Sequence, residues 1–380
     1  MTPDFDPQIV FLSHSNPFKS IGGSEQVLLK YISHFANRSS VYLIYPVSSF
    51  KSRFFKQKNL MIVETPVPKI PIPKTLLFAI SVFLTLRKIS TPKTLVHGQM
   101  MIKPICLASI LIKKLLGVPI ILSARGSDIN IVASQSAIDR RIVSWAASIV
   151  DRNHVVTKDL GRRLLVLSPA AKVTHISNGI DLPVSTEEFP LREPVDSANP
   201  LRCIFVGRLD KIKNLPVLFQ AFAILVKKEP RWILEIVGDG PEKENLSLWA
   251  EKAVFRRRVK ILGRLPHDKT LRRIQQSHVL VLPSKMEGFP NVLLEAFAMK
   301  TPVVTSNVAG LHEIVRNGVN GYLTPVDDPA AIASAILKIG SIARTWEVMS
   351  QNCWALVKSY SWKEILNRLS YLYKEILAPK

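Results

Sequence analysis

Short apolar runs rich in β-branched residues alternate along this chain with longer stretches in which apolar positions recur every three or four residues. The runs at 9–12, 41–45, 95–97, 120–123, 155–157 and 173–176 read as strands of a first half, with helical segments between them. A second series begins at Leu201, with strands expected at 201–206, 232–237, 259–262, 279–282 and 302–305. Strands that are apolar throughout and separated by helices predict α/β domains with parallel sheets covered on both faces. The two series are joined by STEEFPLREPVDSANP (185–200), which is polar, Pro-rich and without periodicity, as a linker would be. The expected organisation is a first domain over 1–190, a second over 191–360 and a final amphipathic helix, SWKEILNRLSYLYKEIL, within 361–380.

The polar residues that interrupt this pattern fall after strands, where open α/β sheets bind ligands. The densest stretch is VLVLPSKMEGFPNVLLEAFAMKTPVVTSNVAGLHEIVRNGVNGYL (279–323). Its loop carries Glu287 and Gly288 at the end of a strand and Asn291 near the following helix start. Glu295 lies one turn inside, within an apolar run where an unpaired carboxylate is costly to bury. A helix start presents free N–H groups and a positive dipole end, a seat for an anion such as a phosphate. Three other strands of the second series end in glycine with a polar or charged residue: Gly207-Arg208 leading to Lys213, Gly238-Asp239-Gly240, and Gly263-Arg264-Leu265. In the first half, Gly22-Gly23 precedes the helix expected to start at Ser24-Glu25, allowing a close backbone approach to a ligand or serving simply as a turn. His97-Gly98-Gln99 and Arg125-Gly126-Ser127-Asp128 follow two further strands. A structural role stays open for His97, whereas Arg125 and Asp128 flank a tight backbone and are the better site candidates.

Charge changes the picture of what such a protein meets. The 380 residues include 51 Lys and Arg against 29 Asp and Glu, a formal net charge of +22. Residues 1–120 carry 15 of the basic and 4 of the acidic residues, so half of the excess lies in the first third. This field suits an anionic lipid surface, a nucleic acid or a polyanionic substrate. Nucleic acid is poorly supported, because there is no zinc-finger spacing, no RNP-type aromatic signature and no basic low-complexity tail. The basic residues instead border apolar stretches, IPKTLLFAISVFLTLRK (72–88) and ICLASILIKKLLGVP (105–119). Both are shorter than the roughly 20 residues of a membrane span. Each fits either a helix lying in a membrane interface or an ordinary core helix with basic ends. The cysteines Cys106, Cys203 and Cys353 form no metal or redox motif and suit a reducing cytosol. No signal peptide is read in MTPDFDPQIVFLSHS.

Taken together, GGSE, SNGID, FVGRLDKIKN, IVGDGPE, LGRLPHD, EGFPNVLLEA and VAGLHEIVRNGVNGYL resemble, in order and over nearly the whole chain, family 4 of the glycosyltransferases. That resemblance implies the GT-B fold: two Rossmann-like domains with parallel sheets facing across a cleft, the second holding the nucleotide-sugar and the final helix crossing back to the first. It implies retaining transfer with no metal and no cofactor beyond the donor itself. Arg208 and Lys213 match the basic pair that holds the donor diphosphate, Glu287 the glutamate near the donor sugar, and Glu295 the one that binds the ribose hydroxyls. Gly207 and the backbone of Gly288, Phe289, Pro290 and Asn291 would contact the diphosphate or sugar. Arg264 and Leu265 would meet the base, and Gly22 and Gly23 the phosphates from the first domain. Where many relatives have His-Gly-x-Asp, this chain has Arg125-Gly126-Ser127-Asp128, which leaves the donor sugar open and would suit an acidic group on donor or acceptor. Together with His97, Arg125 and Asp128 are the candidates for contact with acceptor or sugar. Asp4-Phe5-Asp6 is formally a D-x-D metal motif, read as coincidence because it precedes the first strand.

The expected activity is hexosyl transfer from a nucleotide-diphosphate sugar, with UDP as the expected nucleotide, to a glycan or lipid-linked acceptor in bacterial surface polysaccharide synthesis. The expected location is the cytoplasm, with peripheral contact to an anionic membrane and no nucleic acid partner. A GT-B sugar-nucleotide epimerase and a non-catalytic membrane- or nucleotide-binding subunit are the alternatives. The first would lack the Arg-Lys and paired-glutamate pattern, and the second has no need of it. A nicotinamide dehydrogenase is disfavoured by the lack of a full dinucleotide fingerprint after either first strand.

Overall fold

The computed structural model describes residues 7–19, 22–68, 72–126, 128–129, 136–183, 199–252, 254–308, 310–340 and 343–378. Asp4-Phe5-Asp6, Ser127 and most of the expected linker, residues 185–198, lie outside them. The chain divides into two compact units, Met1–Asn178 together with Lys363–Lys380, and Gly179–Trp362.

Among the described residues the first unit is built on an eight-stranded sheet. Its strands are β1 (Gln8–Leu12), β2 (Ser40–Val47), β3 (Arg53–Gln57), β4 (Leu60–Pro66), β5 (Thr94–Gly98), β6 (Ile120–Ala124), β7 (Arg152–Val155) and β8 (Val173–His175). The order across the sheet is β3-β4-β2-β1-β5-β6-β7-β8, parallel throughout except that β3 pairs antiparallel with β4. The inner strands are buried on both faces, which explains their unbroken apolar sequences: every residue of QIVFL in β1 and IILSA in β6 is buried. The helices of this unit are α1 (Gly23–Phe35), α2 (Lys74–Ile89), α3 (Lys103–Leu116), α4 (Ala137–Ile149) and α5 (Lys158–Leu167).

Three sequence expectations change here. The strand expected at 155–157 is Arg152–Val155, and Thr157 instead caps α5, its side chain accepting a hydrogen bond from the Leu160 N–H. The pair β3 and β4 was not anticipated at all: RFFKQ has no buried face, so it lacks the apolar alternation by which a strand is recognised. The segment 105–119 is a core helix, since α3 buries Ile105, Cys106, Ala108, Ser109, Ile110 and Ile112. Among the described residues no helix is long and apolar enough to cross a membrane.

The second unit has a six-stranded, all-parallel sheet among its described residues, ordered β11-β10-β9-β12-β13-β14. These strands are β9 (Leu201–Val206), β10 (Trp232–Val237), β11 (Val259–Gly263), β12 (Val279–Leu282), β13 (Val303–Ser306) and β14 (Gly321–Thr324). Its helices are α6 (Leu215–Lys228), α7 (Lys243–Ala250), α8 (His267–Gln276), α9 (Asn291–Ala298), α10 (Pro329–Gly340) and α11 (Ala343–Val357). Pro216 stands in the first turn of α6, where its missing N–H is not needed. The last helix, α12 (Trp362–Leu377), places Leu366, Leu369, Leu372 and Tyr373 against the first unit's core. Just before it, the Ile180 N–H donates to the Tyr360 carbonyl at 2.9 Å and the Trp362 N–H to the Ile180 carbonyl at 3.0 Å.

Candidate active site

Parallel strands put the loops after β9, β10, β11 and β12 at one edge of the second sheet, and the expected donor-site residues of this unit lie in them or in the helices they open. The loop after β9 is folded by its own side chains. Asp210 Oδ1 accepts from the Ile212 and Lys213 N–H groups, closing a short 3₁₀ turn over Lys211–Lys213. Asn214 then adopts a left-handed conformation (φ 57°), which Asn tolerates better than most residues. Its Nδ2 donates to the Pro283 carbonyl at 3.2 Å and to Asp327 Oδ1 at 2.9 Å. The Lys285 N–H returns a bond to the Ile212 carbonyl at 2.8 Å, so the β9 and β12 loops are laced together.

That lacing delivers Lys213 to Glu287. Lys213 Nζ donates to Glu287 Oε1 at 2.7 Å, and Ser284 Oγ donates to the same oxygen at 2.6 Å. The Glu287 side chain is 8% exposed and that of Lys213 20%. Arg208, by contrast, is 73% exposed and only 3.5 Å from Asp210 Oδ2, a solvent-reaching cation at the rim. Gly207 donates its N–H to the Val237 carbonyl at 3.0 Å and leaves no side chain between the β9 and β10 loops. The approach is closer still at Gly238 (φ 147°), where an added Cβ would sit 1.8 Å from the Gly207 carbonyl oxygen.

After β12, Gly288, buried Phe289 and buried Pro290 lead into α9, which begins at Asn291 without a side-chain cap. A helix start without a side-chain cap, with the positive end of the helix dipole, suits an anion. Phe289 is held against the Tyr360 ring, centroids 6.1 Å apart. Glu295 projects from the first turns of α9 half-buried, and burial raises its carboxyl pKa, with His267 pulling the other way. Among the described residues its carboxylate makes no hydrogen bond or ion pair. Arg264 is exposed and unpaired among the described residues, and Leu265 follows it half-buried.

The first unit's candidates are distributed differently. Gly22 is the N-cap of α1, and a Cβ there would meet Glu25 Oε2 at 2.3 Å, because the Glu25 carboxylate folds back over the helix start. His97 is fully buried and belongs to a hydrogen-bonded chain whose direction can be derived. His154 Nε2 faces the Ile176 carbonyl at 2.8 Å and must donate, so its Nδ1 accepts from Ser123 Oγ at 2.8 Å. Ser123 Oγ therefore accepts from His97 Nε2 at 2.7 Å, and His97 Nδ1 accepts from the Tyr373 hydroxyl at 2.5 Å. Protonating either ring would set donor against donor, and burial lowers both pKa values, His154 to about 3. His97 is thus a core residue tying α12 to the sheet, with both ring nitrogens engaged in that chain.

Asp128 is also enclosed. It is 1% exposed, and its carboxylate accepts from the backbone N–H groups of Met101, Arg125, Gly126 and Ile129, clamping the turn. Arg125 stands beyond the ends of β5 and β6 as a buried cation. Its Nη1 donates to Asn178 Oδ1 and its Nη2 to Gln99 Oε1, both at 2.9 Å, and it lies over the Tyr31 ring at 5.5 Å. No carboxylate is within ion-pair reach among the described residues, and Arg125 Nε and Gln99 Nε2 are buried without partners. Sequence reasoning missed Ser284, Asn214 and Asp327, which position the Lys213–Glu287 pair; the only sequence signal was that Ser284 stands two residues after the end of a strand.

A parallel α/β unit with cations, two glutamates and a helix start without a side-chain cap at one sheet edge suits an anionic ligand, and sequence comparison supplies the class of protein, a glycosyltransferase. The family model described as Glycosyltransferase Family 4 matches residues 21–183, and that described as Glycosyl transferases group 1 matches 191–353. The chain belongs to the family 4 glycosyltransferases. It is 35% identical over 169 residues to a glycogen synthase of Mycobacterium tuberculosis, spanning 44% of this chain and 40% of that protein. With a D-inositol 3-phosphate glycosyltransferase of Corynebacterium urealyticum it shares 30% identity over 221 residues, 56% of this chain and 51% of that one. The chain therefore spans about half the length of these curated relatives or less. Its fold is that of the two-domain GT-B glycosyltransferases. A sucrose-phosphate synthase from Thermosynechococcus elongatus has a TM-score of 0.78 at 19% identity, covering 97% of this chain and 99% of that one. Anabaena HepE in complex with UDP has a TM-score of 0.76 at 19% identity, covering 97% and 100%.

Proposed function

We propose that this protein is a retaining hexosyltransferase that moves a sugar from a UDP-sugar to a glycan or lipid-linked acceptor in surface polysaccharide synthesis. The observation that carries the reading is the Lys213–Glu287 pair held at the ends of β9 and β12 beside the uncapped start of α9. Lys213 and the exposed Arg208 take the diphosphate, whose negative charge grows as it leaves, and fixed cations stabilise that growth. The amides from Gly288 to Asn291 assist them, and Glu287 orients the sugar through the oxygen that Lys213 and Ser284 do not occupy. Glu295 accepts from the ribose hydroxyls, an attractive role for a half-buried carboxylate without a partner among the described residues. Arg264 and Leu265 meet the base.

The proposed chemistry needs no general base from the protein. The bond between the anomeric carbon and the phosphate oxygen breaks with its electron pair going to the phosphate. The acceptor hydroxyl bonds to the same face of the carbon and gives its proton to the departing phosphate. UDP is favoured as nucleotide by the solved relatives that carry it, HepE and a pneumococcal O-GlcNAc transferase among them. We further assign to Arg125 a preference for an acidic group on donor or acceptor, supported by its lack of a carboxylate partner among the described residues.

The test is nucleotide release from a panel of UDP-, GDP- and ADP-sugars, neutral and acidic, with and without a membrane extract. Release of UDP from one sugar, abolished in Lys213→Ala, supports the transferase and names the donor. Silence with every donor, even with extract, refutes it in favour of a binding subunit. Arg125→Gln should lower turnover only for the acidic member of a donor or acceptor pair.

A further inference from the structure

The outer edge of the first unit's sheet is unlike the rest of the molecule. β3 is an edge strand with all five residues exposed, so neither of its faces is covered. Successive strand side chains point to opposite faces, and Phe54 (56% exposed) and Phe55 (48%) put an aromatic ring on each. Phe50, 78% exposed, stands on the approach to the strand. Lys51, Arg53, Lys56 and Lys58 are interleaved with these rings; all four are exposed, and none makes an ion pair among the described residues. Exposed edge strands are normally protected by charge, proline, bulges or a covering element, and bare phenylalanines on and beside this one oppose that rule.

A second apolar surface borders the same strand pair. α2 packs on β4 and on α3 through Phe78, Ala79, Val82 and Leu86. Its opposite side exposes Leu76, Ile80 and Leu84, one stripe at a spacing of four. Exposed Lys74, Arg87 and Lys88 sit at the two ends of that helix. The charge is one-sided well beyond these two elements. From Gln26 to Ser127 the chain has a single carboxylate, Glu64, and that one accepts a hydrogen bond from Tyr45. A pocket of 270 Å³ opens at the first turn of α2, lined by Lys74, Thr75 and Phe78 with Val47 and Val67.

We propose that β3 with its flanking residues 50–58 and the outer stripe of α2 form a docking face for an anionic lipid bilayer. Rings and aliphatic chains enter the headgroup boundary while the interleaved cations meet lipid phosphates. An aliphatic stripe offers a nucleic acid neither stacking nor hydrogen bonds, whereas it partitions into acyl chains, so lipid is the occupant the chemistry favours. The proposal rests on the transferase reading only in its consequence: a lipid-linked acceptor held in the bilayer would meet the pocket at the start of α2.

Flotation of the full chain with phosphatidylcholine vesicles, with and without phosphatidylglycerol, tests it. Binding is expected only with the anionic lipid, weakening with salt. A Phe54→Ser/Phe55→Ser variant should lose it while releasing nucleotide at the parent rate. Replacing Lys51, Arg53, Lys56 and Lys58 by Gln one at a time should lower partitioning by up to about fivefold each. Equal binding to neutral and anionic vesicles, no binding to either, or parent-like binding by both sets of variants would overturn the docking face without touching the transferase assignment. So would loss of vesicle binding to competition by a single-stranded oligonucleotide that the Phe variants no longer bind.

Discussion

Lys213 and Glu287 are 74 positions apart in the chain, yet their charged atoms meet at 2.7 Å in a site where the glutamate is almost fully enclosed. A buried carboxylate is tolerable only with a partner, and here the partner comes from the loop of a different strand.

Lys213→Met keeps the side chain's bulk and removes its charge. Loss of about 2–4 kcal/mol in denaturant melts is expected, because the Glu287 carboxylate is stranded. Adding Glu287→Gln should return most of that stability, while UDP release stays at background in both variants. A single variant that melts like the parent would mean that Glu287 does not depend on Lys213.

Glu295→Gln should separate stability from binding. Burial raises this carboxyl above its ordinary value, so the folded chain holds the proton more tightly than the unfolded chain does. The stability tied to that proton is full below pH 4.5 and is lost as pH rises through the native pKa. At pH 7 the Gln variant should therefore melt at a higher temperature than the parent, with the gap closing toward pH 4.5. Calorimetric titration with UDP should at the same time give about tenfold weaker binding, the cost of losing charged acceptors for hydroxyls. Unchanged affinity would remove Glu295 from the ribose role.

The chain from Tyr373 to Ile176 makes a pH prediction of opposite sign. His97 and His154 are held below 6.5 in the native state, so below that pH only the unfolded chain takes up their protons. Stability is full above pH 6.5 and falls as the pH drops toward the native values, about 3 for His154. Each histidine contributes up to about 1.4 kcal/mol per pH unit. Melts between pH 7 and pH 5 should show this loss, and His154→Gln should make the slope shallower by one histidine. An unchanged slope would mean that His154 titrates alike folded and unfolded.

Gly238→Ala probes the backbone alone. The new methyl would lie 1.8 Å from the Gly207 carbonyl and force the β9 and β10 loops apart. Destabilisation of about 2–3 kcal/mol is expected, together with weaker UDP binding, since Gly207 and Arg208 would shift. Parent-like melting and binding would show that the loops can separate freely.

Much of the fold was legible because parallel strands buried on both faces have sequences of one kind, as in LRCIFV of β9 or VLVL of β12. The same rule hid β3, whose residues are all exposed and so carry no apolar period. Site residues were legible where a glycine or a charge interrupts an apolar strand, as at Gly207-Arg208 and Glu287-Gly288. His97 and Asp128 follow the same pattern on paper. Their burial, and the hydrogen bonds that use up their polar atoms, come from Tyr373, Ser123 and backbone far away in the chain.

The sequence by itself determined two αβ series, their strand-end loops and the excess of positive charge, because these follow from local periodicity and composition. Only the tertiary structure decided which charges are partnered. Lys213 finds Glu287, Arg125 finds amides in place of a carboxylate, and Lys51, Arg53, Lys56 and Lys58 pair with no carboxylate among the described residues. Pairing depends on distance in space, which residues far apart in the chain acquire only when the loops of different strands are brought to one edge of a sheet.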